Sequence, residues 1–125
     1  GVVHTDLKPA NIPLVDSRTQ VSKDGSIFLL RTDIKIADFG LAVYGTQQYI
    51  AEPHQHKIQT RPYRAPEVIL GLGWHEACDV WSIACMMLEF FSGNVYFDVW
   101  EDHEHLMAFQ NTFGRLPQDM ISIRR

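Results

Sequence analysis

Apolar residues crowd the chain between Glu76 and Ser92. Val80, Trp81, Ile83, Ala84, Cys85, Met86, Met87, Leu88, Phe90 and Phe91 go nearly all the way round a helix that Gly93 closes. A helix apolar on every side is expected to be buried on every side, so the pattern predicts a buried central helix, 76–92. A narrower stripe of Leu106, Phe109 and Phe113 predicts a second helix over about Asp102 to Thr112, with Gly114 after it and Pro117 opening the next turn. Glu101 to His105 reads as its solvated outer start, with acidic residues that suit the helix dipole. Pro66 opens a short helix through Leu70, ended by Gly71 and Gly73. Earlier in the chain the pattern changes. Gly1 to His4 ends a short strand, and the runs Ile12 to Val15 and Ile27 to Ala37 are strand-like. The turn formers of Asp16 to Ser26 would join those runs as a hairpin with an enlarged loop. Pro13 cannot donate to a ladder, so its strand is an edge or is distorted. Gly40 to Arg64 has no sustained period and reads as a long irregular segment, a kind of loop that tends to be functional.

Composition narrows the classes. The 125 residues fit one ordinary domain, and 46% hydrophobic with 21% charged residues is the balance of a soluble globular chain. Eleven Lys plus Arg against fifteen Asp plus Glu leave a formal charge of -4, which argues against a nucleic-acid phosphate binder. No apolar run reaches the ~18 residues that cross a bilayer, so no membrane partner is expected. The opening Gly1-Val2-Val3-His4 has no signal-peptide character. Cys78 and Cys85 lie in the apolar run and read as buried free thiols of a reducing compartment. Of the histidines, His54 and His56 fall in the irregular segment, while His103 and His105 point to different helix faces. All four read as solvated surface rather than metal ligands.

Four short patterns occur in one order: His4-Thr5-Asp6-Leu7-Lys8-Pro9-Ala10-Asn11, Asp38-Phe39-Gly40, Ala65-Pro66-Glu67 and Asp79-Val80-Trp81-Ser82. Each alone is weak. Together, with the second placed directly after the apolar Ile34-Lys35-Ile36-Ala37, they make the chain resemble the eukaryotic protein kinases, specifically their C-terminal lobe. The residue types suit phosphoryl transfer, which needs positioning and charge neutralisation more than covalent help. A carboxylate can take the attacking hydroxyl's proton, a nearby cation can neutralise charge on the transferred group, and hard oxygen ligands suit Mg²⁺.

The resemblance implies roles. Asp6 and Lys8 would be catalytic, as base and as phosphate-steadying cation, with Lys8 also pointing to Ser/Thr hydroxyls. Lys8, Asn11 and Asp38 would bind the nucleotide, and Asn11 and Asp38 would hold the metal, the cofactors being ATP and Mg²⁺. Thr60, where such kinases use a Thr to bond the catalytic Asp and Lys, would lie with Arg64 and Glu67 in an activation and substrate segment, 38–67. His4, Phe39, Gly40 and Asp79 would be structural, with Phe39 packing behind the site, Asp79 holding the catalytic-loop backbone, 4–11, and Glu67 pairing with a later Arg. The fold class implied is α+β, a kinase-like C-terminal lobe that is mainly helical with a small hairpin, and incomplete. Helices over 102–125 would follow the central one.

His-Thr-Asp in place of His-Arg-Asp is similar to the CDC-like (LAMMER) kinases of the CMGC group and to kinases of SR splicing proteins. So is the stretch Thr60 to Leu70 with Gly73-Trp74 and Cys78 to Ile83. The naming motif keeps its start, Glu104-His105-Leu106, and drifts afterwards. Implied substrates are proteins, Ser/Arg-rich splicing factors among them, with self-phosphorylation on Tyr and a nuclear or cytoplasmic location. Ala10, where most such kinases have Glu, would weaken selection for Arg near the target hydroxyl. Tyr44, Thr46 and Tyr49 are candidate phosphorylation sites, but Thr5 removes the expected phosphate receiver. No Gly-rich phosphate loop or strand lysine is present. The 125 residues alone are therefore expected to be inactive, and the competing reading is a truncated or degenerate lobe serving as a binding scaffold.

Overall fold

The computed structural model describes residues 1–44, 49–50 and 58–122, with positions 49–50 as backbone only. Thr46, His54 and His56 lie outside the described residues. In chain order the elements are β1 (Val2–Val3), β2 (Thr19–Val21), β3 (Ile27–Leu29), β4 (Val43–Tyr44), β5 (Tyr49–Ile50), α1 (Pro66–Ile69), β6 (Gly73–Trp74), α2 (Ala77–Ser92), α3 (Asp102–Phe113) and α4 (Gln118–Ser122). Short 3-10 turns cover Pro9–Asn11 and Arg61–Tyr63. Two compact units result: residues 1–8 with 39–125, and residues 9–38.

In the larger unit, β1 pairs antiparallel with β4, Val3 opposite Val43, and β5 pairs antiparallel with β6, Tyr49 opposite Trp74. β4, β5 and β6 were not expected, because two-residue strands carry no readable alternation. The core gathers Val3, Ile58, Ala65, Trp74 and Cys78, with Val43, Val68 and Trp81 packed against it. Gly93 ends α2 at φ 76°, its N–H donating to the Glu89 carbonyl at 2.7 Å, which is a left-handed stop that glycine makes without strain.

α2 corrects one expectation. It is apolar nearly all round, yet only Cys78, Ser82, Cys85 and Met86 are buried, while Val80, Met87, Phe90 and Phe91 are exposed, Phe91 to 94%. The reason is geometric: among the described residues, the elements pack against one face of the helix and leave the other uncovered. Burial pushes both thiols, Cys78 and Cys85, up to about 12.

α3 corrects another. His105 is not surface but fully buried, one turn before Phe109 on the face that meets α2, with ring centroids 4.4 Å apart. Phe97 lies over both, and Trp81 meets Phe109 edge-on at 4.9 Å. Burial, with Arg61 and Arg64 nearby, pushes His105 down to about 4, so it is neutral at pH 7. The acidic start of α3 is as expected in kind: Glu104 accepts the Glu101 N–H at 3.2 Å in a capping box.

In the smaller unit the first strand of the hairpin lies inside the stretch expected to be its loop, and the second opens the run expected to be a strand. β2 and β3 pair as Thr19–Leu29, Gln20–Phe28 and Val21–Ile27 around Ser22–Ser26, where Gly25 takes φ 87°. The Asp24-Gly25 pair is a turn former that brings those flanks together. Of the strands expected at 12–15 and 27–37, Ile27–Leu29 forms β3, and the rest reduces to a bridge between Leu14 and Ile34. Backbone bonds from Val15 to Asp33 and from Lys35 to Pro13, each 2.9 Å, flank it. Pro13 contributes its carbonyl, the one ladder group a proline keeps.

Phe109 is 2% exposed and Phe113 is 62% exposed, although both meet Trp81. Phe109→Ala should therefore cost about 3–5 kcal/mol, and Phe113→Ala under about 1 kcal/mol, in chemical denaturation of the full-length protein. Equal losses would contradict this packing.

Candidate active site

The segment bearing Asp6 is held from α2. Asp79 accepts the His4 N–H at 2.6 Å through Oδ2 and the Thr5 N–H at 2.9 Å through Oδ1. Each is a charge-assisted bond, stronger than a neutral one. They hold Thr5 at φ 69°, a region that a β-branched residue seldom enters. The Thr5 hydroxyl donates to the Leu41 carbonyl at 2.8 Å, so the residue that replaces Arg ties the loop to the chain after Asp38-Phe39-Gly40. There Gly40 sits in a turn closed by the Ala42 N–H donating to the Phe39 carbonyl at 3.1 Å. His4 is buried, its Nδ1 accepts the Asp6 N–H at 3.2 Å, and its ring meets Phe39 edge-on at 5.0 Å. Phe39 remains 54% exposed.

Asp6, Lys8 and Thr60 form one cluster. Lys8 Nζ donates to Asp6 Oδ2 at 2.8 Å and to Thr60 Oγ1 at 3.0 Å. Thr60 donates its hydroxyl to Asp6 Oδ1 at 2.6 Å and its N–H to the same oxygen at 3.0 Å. The hydroxyl thus gives its single proton to Asp6 and offers a lone pair to Lys8, a consistent assignment for every hydrogen. Partial burial pushes the Asp6 carboxyl up, but the bonds from Lys8 and Thr60 outweigh it and hold Asp6 below the usual carboxylate range. Asp6 is therefore ionised at neutral pH and fixed in direction.

Thr60 follows Gln59, which is buried at φ 64°. Arg64 does not face outward as a substrate residue would. It is buried, with Nη2 donating to the Gln59 carbonyl at 2.8 Å and Nε to the Ile58 carbonyl at 3.1 Å. Within the activation segment its guanidinium therefore ties the main chain at Ile58 and Gln59. Burial, then the Arg61 charge, lowers its pKa. Arg61 pairs instead with Asp102 at 2.6 Å, tying this segment to α3. Tyr63 donates its hydroxyl to Glu89 at 2.6 Å, and burial together with that carboxylate raises the phenol well above its ordinary value. Glu67 stands in the first turn of α1 with no ion pair among the described residues.

Asn11 and Asp38 belong to the smaller unit. Asn11 is buried at the end of its 3-10 turn, and its carbonyl accepts the Ala37 N–H at 2.9 Å, which brings it beside the residue before Asp38. Asp38 takes φ 61°, a left-handed position that Asp tolerates better than most residues. No group of three or more His, Cys, Asp or Glu suited to a metal occurs among the described residues. One carboxylate and one amide oxygen still fit Mg²⁺, which takes few protein ligands and completes its shell with phosphates and water.

A family profile described as "Protein kinase domain" matches residues 1–122. The chain belongs to the protein kinase family. Among curated relatives, the dual specificity protein kinase CLK4 of Homo sapiens is 43% identical over 129 residues, covering 99% of this chain and 26% of that protein. The serine/threonine-protein kinase AFC1 of Arabidopsis thaliana is 41% identical, covering 96% of this chain and 27% of that protein. A crystal structure of a kinase domain superposes with a TM-score of 0.81 at 35% identity, covering 96% of this chain and 37% of that one. The chain thus spans about a quarter of the length of the curated relatives it matches. As a family, protein kinases use ATP with a divalent metal, and the CDC-like resemblance of this kinase agrees with its relatives.

Within this kinase, sequence reasoning missed Gln59, Ser82, Glu89 and the Arg61–Asp102 pair. Most of their partners lie far away in sequence; Ser82 stands in the fourth motif, Arg61 in the stretch that starts at Thr60 and Gln59 just before it, but none of these positions announces its partner. The cluster geometry predicts a pH effect. Asp6 must be ionised to accept a proton, and Thr60→Ala removes one of the bonds that lower its pKa. The acid limb of kcat/KM against pH should then move to higher pH, while Thr60→Ser should leave it near the wild-type position. A limb unmoved in Thr60→Ala would show that Thr60 does not tune Asp6.

Proposed function

We propose that the full-length protein is a CDC-like protein kinase that transfers the γ-phosphoryl group of ATP to Ser and Thr hydroxyls of proteins, with self-phosphorylation on Tyr. The observation that carries this reading is the Asp6–Lys8–Thr60 cluster: an ionised carboxylate aimed by two partners, with a cation 2.8 Å from it. Asp6 orients the incoming hydroxyl and accepts its proton. Lys8, held between Asp6 and Thr60, keeps positive charge where the transferred group becomes more negative, and its fixed position needs no rearrangement during the reaction. Asn11 and Asp38 would hold Mg²⁺, which when bound neutralises charge on the nucleotide phosphates. The sites of Asp6 and of these ligands are supported by their match to the family's motifs and by the hard-oxygen chemistry of the donors.

Ser/Arg-rich splicing proteins are the proposed substrates, on the likeness to CDC-like kinases named dual specificity. Their basic peptides suit a chain with a formal charge of -4. A nuclear or cytoplasmic location goes with such substrates, with neither nucleic acid nor membrane as a direct partner.

The full-length protein with Mg-ATP should phosphorylate an Arg/Ser-repeat peptide. Asp6→Asn should lower kcat by about 10²–10⁴-fold while leaving ATP binding near the wild-type value. Undiminished turnover in Asp6→Asn would remove Asp6 from the role of base.

A further inference from the structure

Gln59 has no part in the reading above, yet its side-chain amide is engaged at both ends. Its Nε2 donates to the Cys78 carbonyl at 2.7 Å and to Ser82 Oγ at 2.8 Å, both on α2. Its Oε1 accepts the Ala65 N–H at 2.9 Å, at the entry to α1. Ser82 in turn donates its hydroxyl to the Tyr63 carbonyl at 2.8 Å, so the amide network has no unused proton at this point. The main chain is equally committed: the Gln59 N–H donates to the Thr5 carbonyl at 2.8 Å, and its carbonyl accepts from Arg64.

The placement matters more than the number of bonds. Thr5 and Gln59 are both left-handed, at φ 69° and 64°, and are joined by that 2.8 Å bond. The residues directly after them, Asp6 and Thr60, are the pair that meets in the cluster. Two conformations that non-glycine residues keep only where the surroundings over-determine them thus fix the register of the two segments. The first is held by Asp79 and the second by the Gln59 amide, and both holds come from α2. If the second hold were lost, the chain at residue 59 would relax toward ordinary φ and turn Thr60 away from Asp6.

We infer that Gln59 is a positioning residue: its side-chain amide, clamped between α2 and Ala65, sets Thr60 against Asp6 and so governs the rate of phosphoryl transfer rather than nucleotide affinity. The inference rests on Asp6 being the catalytic base.

The test uses the full-length protein with Mg-ATP and an Arg/Ser-repeat peptide, below the melting temperature of every variant. Gln59→Gly keeps the left-handed backbone accessible and removes the amide. Gln59→Glu keeps the shape and the acceptor for Ala65 but loses both Nε2 donations. Gln59→Gly should lower kcat by about 10–100-fold with the KM for ATP unchanged, and Gln59→Glu should lower it in the same sense. Combined with Thr60→Ala, neither should slow the enzyme beyond Thr60→Ala alone, because both changes break the same link. A merely structural residue would instead give losses that multiply with those of Thr60→Ala. Multiplying losses, or a folded Gln59→Gly with wild-type kcat, overturn the inference. Should Gln59→Gly fail to fold, Gln59→Glu and Ser82→Ala carry the same cycle, and unchanged kcat in both is equally fatal. The control Asp6→Asn separates the two levels: an active Asp6→Asn sinks the catalytic reading, whereas an inert Asp6→Asn beside an unaffected Gln59→Gly sinks only the role of Gln59.

Discussion

The loop that carries Asp6 hangs from the Asp79 carboxylate. It is placed in the first turn of α2, where the helix dipole favours a negative charge, and it accepts two main-chain N–H groups from a loop more than seventy residues earlier. A carboxylate on so apolar a helix would be costly without partners, and the loop would have no reason to adopt φ 69° without the carboxylate. Each solves the other's problem. The longest helix thereby becomes the reference frame for Asp6, a residue that α2 does not itself carry.

The cluster built on that frame follows from charge rather than acidity. Asp6 is a weaker base than an ordinary carboxylate, since Lys8 and Thr60 stabilise its ionised form. For a loose phosphoryl-transfer transition state this suits the chemistry. In the proposed reaction the hydroxyl would need orientation more than deprotonation, and its proton would pass late to a carboxylate whose direction is already set. Thr60 links the two charges with one hydroxyl, so Asp6 and Lys8 cannot drift independently. The arrangement also explains why Thr5 is compatible with the loop. Its hydroxyl reaches the Leu41 carbonyl, giving a local tie in place of the charge that an arginine would bring.

Much of this was legible from sequence where the signal is local. Gly93 and Gly114 mark the ends of α2 and α3, Pro66 opens α1, and the four motifs put Asp6, Lys8, Asn11, Asp38 and Asp79 in family positions. What was not legible depends on partners. His105 looks like part of an acidic, solvated helix start until Phe97 and Phe109 close over it. The bonds of Arg64 depend on the left-handed bend at Gln59, next to the two carbonyls that receive them, and no local pattern announces that bend. The hairpin was misplaced because Thr19 to Val21 is short and polar, and its pairing depends on the turn at Asp24-Gly25. The all-apolar character of α2 was read correctly as composition and wrongly as burial, since burial depends on what other segments bring to each face.

Cys78 and Cys85, two turns apart on α2, are both buried, and the Cys78 carbonyl is one of the groups that receive the Gln59 amide. With thiols pushed up to about 12, almost none of either is thiolate at neutral pH, and neither is open to solvent. The two sulfurs are therefore silent toward alkylating reagents as long as α2 stays seated. Any labelling they do acquire is a clock for the opening of the helix that anchors the catalytic loop, built into the native sequence without an added probe.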